Sequence, residues 1–282
     1  MPEIANTQMA EYWATVTPTW LQMTDSFEAI TGEPGRQALE RLAAQPGERI
    51  VDVGCGPGRT TLELAGAVGA EGEVLGVDIA PGLLERAEAT AAERGITNVT
   101  FLHGDVQVQE LGRESFDGAF SRFGVMFFAD PIRAFGNIKR ALRADGRLSF
   151  VAWQNAAANE WMSLPALTAM SVLGVLRTPP DPEAPGPLSF ADPDRVRRIL
   201  AEAGFRDVEV AAANDFVVTA EDRVPEVAHT STRTGVVAEL LNDADDETRA
   251  SVVAAIEKTM RDRVENGEMR AARGYLLVTA RA

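Results

Sequence analysis

Between residues 46 and 153, short apolar runs alternate with longer stretches whose apolar positions recur every three or four residues. The runs Arg49–Val53, Glu73–Val77, Val99–Leu102, Ser115–Phe120 and Gly146–Ala152 are rich in β-branched and aromatic residues and predict strands. The stretches Arg59–Val68, Gly82–Arg94 and Pro131–Leu142 predict helices, with Gly95 closing one of them and Asp145-Gly146 turning the chain into the last strand. Strand alternating with helix predicts an α/β fold, a mostly parallel sheet with helices on both faces. Residues 1–45 read as amphipathic helix anchored by Tyr12, Trp13, Trp20, Phe27 and Leu39, with a break at Gly32, Pro34 and Gly35. They predict an N-terminal helical lid ahead of one domain over residues 46–282.

The rhythm changes after Ala152. Glu160–Leu176 predicts a helix, Thr178–Pro187 a proline-rich connection, and Asp192–Ala203 a helix capped by Asp192 and ended by Gly204. Asp207–Thr219 reads as extended, residues 221–266 as acidic helix, and Tyr275–Ala280 as a final strand. Two helical insertions are therefore expected, at about 155–190 and 221–268. Insertions at the ligand-binding ends of strands commonly serve as lids.

Composition narrows the classes. With 45% hydrophobic and 24% charged residues among 282, the chain reads as a soluble globular protein. Its apolar runs are too short to cross a bilayer, so no membrane partner is expected. The formal net charge of −15 disfavours nucleic acid, whose phosphates call for lysine and arginine patches. A single cysteine, Cys55, excludes an intrachain disulfide framework. It points to a reducing compartment, and the opening MPEIANTQMAEYW lacks the pattern of a secretory signal, so the expected location is the cytoplasm. The sequence leaves the oligomeric state open, a homodimer included.

Candidate chemistry gathers where the predicted strands end. The run VDVGCGPGRT places glycines at 54, 56 and 58, an acid at Asp52, and helix-like sequence immediately afterwards. Such a strand–turn–helix brings bare backbone, here including Cys55, against a ligand. A dinucleotide fingerprint would put its third glycine at 59, where this chain has Arg59. Asp52 would also repel a diphosphate, so a cationic ligand fits better. S-adenosylmethionine carries a sulfonium and an amine. Asp78 follows Gly58 by twenty residues and ends the second strand, where a carboxylate accepts both hydroxyls of a ribose. It could equally cap the next helix. After the third strand, His103-Gly104-Asp105-Val106 offers an acceptor for an adenine amine and an apolar wall. After the fourth, SRFGVMFFADP supplies Phe123, Met126, Phe127 and Phe128, of which two are expected in the core and the others beside the reacting methyl group.

VDVGCGPG, GVDI, GDV, FDGAFSRFGVMFF and GRLSFVAW follow one another between Gln45 and Trp153 in an order that resembles the class I S-adenosylmethionine-dependent methyltransferases. Within them the chain is similar to the small-molecule group related to the ubiquinone and menaquinone C-methyltransferases. The resemblance implies a Rossmann-like seven-stranded sheet with an antiparallel last strand. It assigns the cofactor turn to Asp52, Gly54, Gly56 and Gly58, the ribose to Asp78, and adenine to Ile79, Asp105 and Val106. Ser121 would offer its backbone to the methionine amine. The expected activity is in-line transfer of a methyl group from S-adenosylmethionine to a small-molecule acceptor. A nicotinamide-dependent oxidoreductase and a non-catalytic S-adenosylmethionine-binding protein are the alternatives. No catalytic residue stands out. His229, in the second insertion, is a candidate base whose simpler reading is an exposed helix residue, and no His/Cys/Asp grouping has metal-ligand spacing.

Overall fold

The computed structural model describes residues 3–178 and 181–282. Its centre is a sheet of strands β1 (Arg49–Val53), β2 (Glu73–Asp78), β3 (Val99–His103), β4 (Phe116–Arg122), β5 (Leu142–Trp153), β6 (Arg206–Ala220), β7 (Val264–Glu265) and β8 (Glu268–Arg281). Seven strands form a continuous path in the order β3-β2-β1-β4-β5-β8-β6, and the two-residue β7 pairs with β8 beside it. Strands β1 to β5 run parallel, and β8 lies antiparallel to both neighbours on the path. The order reverses between β1 and β4, so a crevice opens at their carboxyl ends.

Helices α1 (Thr7–Gln22) and α2 (Thr24–Leu42) precede the sheet, while α3 (Arg59–Val68), α4 (Pro81–Glu93) and α5 (Pro131–Ala141) connect its parallel strands. These three lie within a residue of the helices that the sequence predicts. Beyond β5 come α6 (Glu160–Leu173) and α7 (Pro193–Glu202), and beyond β6 come α8 (Val224–Ser231), α9 (Gly235–Leu240) and α10 (Asp246–Arg261). Asp192 caps α7 as expected, its side chain accepting the Asp194 N–H. The proline-rich connection lies partly outside the described residues, at positions 179 and 180.

One expectation is revised. The N-terminal helix breaks at Met23, and α2 runs unbroken through Gly32, Pro34 and Gly35. Burial explains this: Pro34, Gly35, Ala38 and Leu42 form the face packed on the sheet, and that packing outweighs local helix propensity. Proline at 34 has no N–H to offer the Ile30 carbonyl. The Arg273 guanidinium takes that carbonyl instead, at 2.6 Å. The two insertions pack against each other. Ala169 of α6, Val224 and Ala228 of α8, Val237 of α9, and Val252, Ile256 and Met260 of α10 share one apolar core, distinct from the core around the sheet. Neither insertion buries its apolar face alone, so the two combine into a single helical cap.

Arg273 is 4% exposed and pairs with Asp215, its cross-strand neighbour, through two contacts of 2.6 Å. It thereby ties the sheet to helix α2. Breaking a pair whose arginine is this deeply buried leaves a charge or carbonyl unpaired. Arg273→Ala is expected to lower the unfolding free energy by about 2–4 kcal/mol in denaturant titration. A loss below about 0.5 kcal/mol, the size of an ordinary surface change, would contradict this role.

Candidate functional site

Gly54, Gly56 and Gly58 all have positive φ, at 67°, 55° and 84°. That left-handed geometry explains the alternating glycines, since side chains other than glycine seldom adopt it. A Cβ on Gly54 would stand 2.9 Å from the Gly124 Cα, so the turns after β1 and β4 touch at the order reversal. A Cβ on Gly56 would meet nothing within 4 Å. The turn therefore presents bare backbone to open space.

Two acids support this turn. Asp52 is fully buried in β1, and its Oδ2 accepts the hydroxyls of Thr60 and Thr61, both at 2.7 Å. Its Oδ1 has no hydrogen-bond partner among the described residues. Burial pushes the Asp52 carboxyl up to about 6. The two threonine hydroxyls and the nearby Arg122 pull the other way. Asp78, at the tip of β2, accepts the Gly56 N–H at 2.7 Å and the Ala80 N–H at 2.9 Å. It shapes both the glycine turn and the start of α4, although Ala80 rather than Asp78 takes the N-cap position. Burial raises its carboxyl too, against those backbone hydrogen bonds and His103. Each Asp78 oxygen keeps acceptor capacity after these bonds. Cys55 is buried, and its thiol is raised well above the ordinary value by burial and by the two acids, so it is an inert packing group.

Ile79 lies beside Asp78, its carbonyl 3.1 Å from His103 Nε2. Gly104, Asp105 and Val106 are buried at the end of β3. The Asp105 carboxylate is already engaged: Oδ2 accepts from Ala5 N, Asn6 N and Gln107 Nε2, and Oδ1 from Gln107 N. One lone pair on Oδ1 is left for a ligand. Ser121 is buried at the end of β4, with Oγ 3.3 Å from Gly124 N. Phe123 adopts φ 59° and stacks on Trp153 at 3.8 Å, and Trp153 meets Trp161 of α6 at 5.1 Å. Phe123 and Met126 are buried, whereas Phe127 and Phe128 are half-buried. Phe127 meets Trp13 of α1 at 5.0 Å. His229 is exposed on the last turn of α8.

Several residues at the site escape sequence reasoning. Thr60 and Thr61 hold Asp52, and their position just past the glycines is the one available signal. Asn6 joins the N-terminal segment to the sheet through Asp105 and the Phe127 carbonyl. Glu28 of α2 reaches Arg122 at the end of β4 and Arg59 just past the glycines.

The residues present fit S-adenosylmethionine. An unpartnered, fully buried carboxylate oxygen calls for a cation or a proton, and the open backbone at Gly56 leaves room for a ligand. Asp52 and the glycine turn would hold the amino-acid end, Asp78 the ribose, and Ile79 and Val106 the adenine.

Comparison with known proteins agrees. Residues 44–204 match the family described as a methyltransferase domain. The chain is 31% identical over 147 residues to the aklanonic acid methyltransferase of Streptomyces sp. (strain C5), a match covering 51% of this chain and 67% of that protein. It is 31% identical over 180 residues to the nocamycin O-methyltransferase of Saccharothrix syringae, covering 61% of this chain and 64% of that protein. The chain thus spans about two thirds of the length of each relative. The fold is similar to that of the YcgJ protein of Bacillus subtilis, with a TM-score of 0.57 at 20% identity, covering 87% of this chain and 98% of that one. With a family match over more than half its length and a turn of three left-handed glycines flanked by the buried acids Asp52 and Asp78, this chain belongs to the class I S-adenosylmethionine-dependent methyltransferases.

Proposed function

We propose that the protein methylates an acidic oxygen, a hydroxyl or carboxyl, of a small apolar molecule held between the N-terminal lid and the helical cap. The observation that carries this reading is the enclosure of the strand ends. Helix α1 meets the β4 loop through Trp13 and Phe127, α2 is tied to the sheet by Arg273, and Gln22 at the end of α1 accepts from Arg233, between α8 and α9 of the cap. A crevice roofed by the chain's own helices suits a small guest. The two relatives named above, one acting on an acid and one an O-methyltransferase, support the choice of oxygen. The acidic net charge and the roofed crevice support a function without nucleic acid. Among the described residues no helix is long and apolar enough to cross a membrane, which fits a role away from the bilayer.

When bound, S-adenosylmethionine supplies an electrophilic methyl group on a positively charged sulfur. The protein's own work is placement and exclusion of water. Asp52 and the Thr60 and Thr61 hydroxyls fix the turn, Asp78 fixes its entry into α4, and the stacked Phe123 and Trp153 give an apolar wall without competing nucleophiles. Orientation of this kind is worth several powers of ten in rate. An acceptor acidic enough to arrive deprotonated needs no protein base, which agrees with His229 standing exposed.

S-adenosylhomocysteine is expected to raise the melting temperature, and NAD is not. Stabilisation by NAD alone would overturn the reading. A panel of phenols, carboxylic acids, amines and thiols should give turnover with the first two classes, and turnover confined to amines or thiols would overturn the choice of oxygen. Asp78→Ala should weaken S-adenosylhomocysteine binding about tenfold or more by calorimetry, through loss of charge-assisted hydrogen bonds. Unchanged affinity would remove Asp78 from the site.

Asp52 gives a pH dependence. Its folded value of about 6 lies above the ordinary 3.8, so the folded protein holds this proton more tightly than the unfolded chain does. The stability it contributes is present at low pH and is lost as pH rises through 6. A bound ammonium favours the ionised form instead, so affinity should rise with pH across the same window. Asp52→Asn should flatten that rise, and its melting temperature relative to the native protein should improve as pH passes 6. Parallel pH profiles for the two proteins would contradict the assignment.

A further inference from the structure

Strand β6 ends the sheet path, bonded to β8 on one side and, among the described residues, to no strand on the other. With 15 residues it is also the longest strand. Exposed edges are normally blunted by lysine, proline, bulges or brevity, because their unpaired N–H and C=O groups recruit another strand. From Val210 to Ala220, β6 has no lysine, no proline and no register shift. Its one irregularity lies earlier, between Arg206 and Glu209. The one charged residue in this stretch, Asp215, turns inward to Arg273.

Antiparallel alternation fixes which backbone groups face outward. The Glu221 N–H donates to the Gly267 carbonyl at 2.9 Å, in continuation of the β6–β8 register, so odd positions bond β8. The Val210 carbonyl accepts from Arg197 of α7 at 3.3 Å, on the free side. Positions 212, 214, 216, 218 and 220 therefore turn their N–H and C=O groups outward. The same residues are the exposed ones of the strand's second half, with Phe216 and Val218 each 48% exposed. Arg270 of β8 covers one side of the Phe216 ring, at 4.8 Å.

We infer that the free edge of β6 is the interface of a two-fold dimer, in which β6 pairs antiparallel with β6 of a second copy and Phe216 lies opposite its own counterpart. In this register Ala212 pairs with the second copy's Ala220 and Asn214 with its Val218, so every outward residue finds a partner and the two sheets become one. Charge selects a second copy as the occupant. Glu221 and Asp222 follow β6 at one end and make no ion pair among the described residues, since the neighbouring Arg223 and Arg261 are taken by Glu226 and Glu257. Arg197 stands at the other end, beside Val210. Antiparallel pairing brings the acids of each copy to the arginine of the other. Between these ends the outward strip is uncharged, in a protein whose net charge of −15 otherwise repels its copies. A ribbon of this length buries less than the roughly 800 Å² per partner of a standard stable interface, so the dimer forms at micromolar or higher concentration.

Sedimentation velocity of the full chain over a concentration series should show a monomer–dimer equilibrium. Phe216→Glu sets like charges across the two-fold while keeping a partner for Arg270, and should weaken the dimer about tenfold or more. The melting temperature of its monomer should match that of the native protein, which shows that its fold is intact. Phe216→Cys should give a disulfide-linked dimer under mild oxidation, because directly opposed residues of such a pair have Cα atoms about 5.5 Å apart. Leu176→Cys, at a fully exposed position beyond α6, should not. The native Cys55 is buried and takes no part. A monomer throughout the sub-millimolar range, a dimer that Phe216→Glu leaves intact, or cross-linking at 216 no faster than at 176 would overturn the inference.

Discussion

A carboxylate enclosed in protein with one oxygen unpaired is unstable unless a proton or a cation joins it. Asp52 is in this state. Strand β1 fixes it beneath the glycine turn, two threonines satisfy one oxygen, and the other has no partner among the described residues. The turn above it is held by a second buried acid, Asp78, through the Gly56 and Ala80 N–H groups. Two acids so close to each other and to a bare backbone turn favour a positively charged guest over a diphosphate. That preference separates this site from the dinucleotide sites that share its fold.

The rest of the molecule encloses this point. The N-terminal helices are tied to the sheet at two points: Ala5 and Asn6 donate to Asp105 at the edge of the sheet, and Arg273 grips the Ile30 carbonyl in α2. The cap closes the other side with a core of its own. An aromatic series from Trp13 and Phe127 on the lid side to Phe123, Trp153 and Trp161 on the cap side borders the strand ends between them. On the proposed function, shape and dryness at the reacting centre would come from these additions and charge selection from the sheet.

The part of this arrangement that was legible in the sequence is the part that backbone geometry dictates. Left-handed φ at 54, 56 and 58 demands glycine, so residue type revealed conformation there. Parallel strands buried on both faces need continuous apolar runs, so β1, β2 and β4 could be read closely. The same logic misled at Gly32 and Gly35. There glycine supplies space for the side chains of Glu28 and Arg122, and the partner making use of that space, Arg122, is nearly ninety positions away. Pro34 misled for a related reason, because the carbonyl it leaves free is claimed by Arg273 from the far end of the chain. The merging of the two insertions into one cap was likewise invisible, since α6 and α10, more than seventy positions apart, meet through packing of their apolar faces. Asp105 was legible as a turn acid, but its bonds to the N-terminal segment were not.

The central claim is that Asp52 exchanges a proton for a cation when the crevice fills. Calorimetry of S-adenosylhomocysteine binding at pH 6, in buffers of differing ionisation heat, measures this exchange directly. The account predicts net release of roughly half a proton by the protein, as expected for a group half protonated before binding, and no release in Asp52→Asn. Binding heats independent of the buffer, or identical proton release in the two proteins, would contradict it.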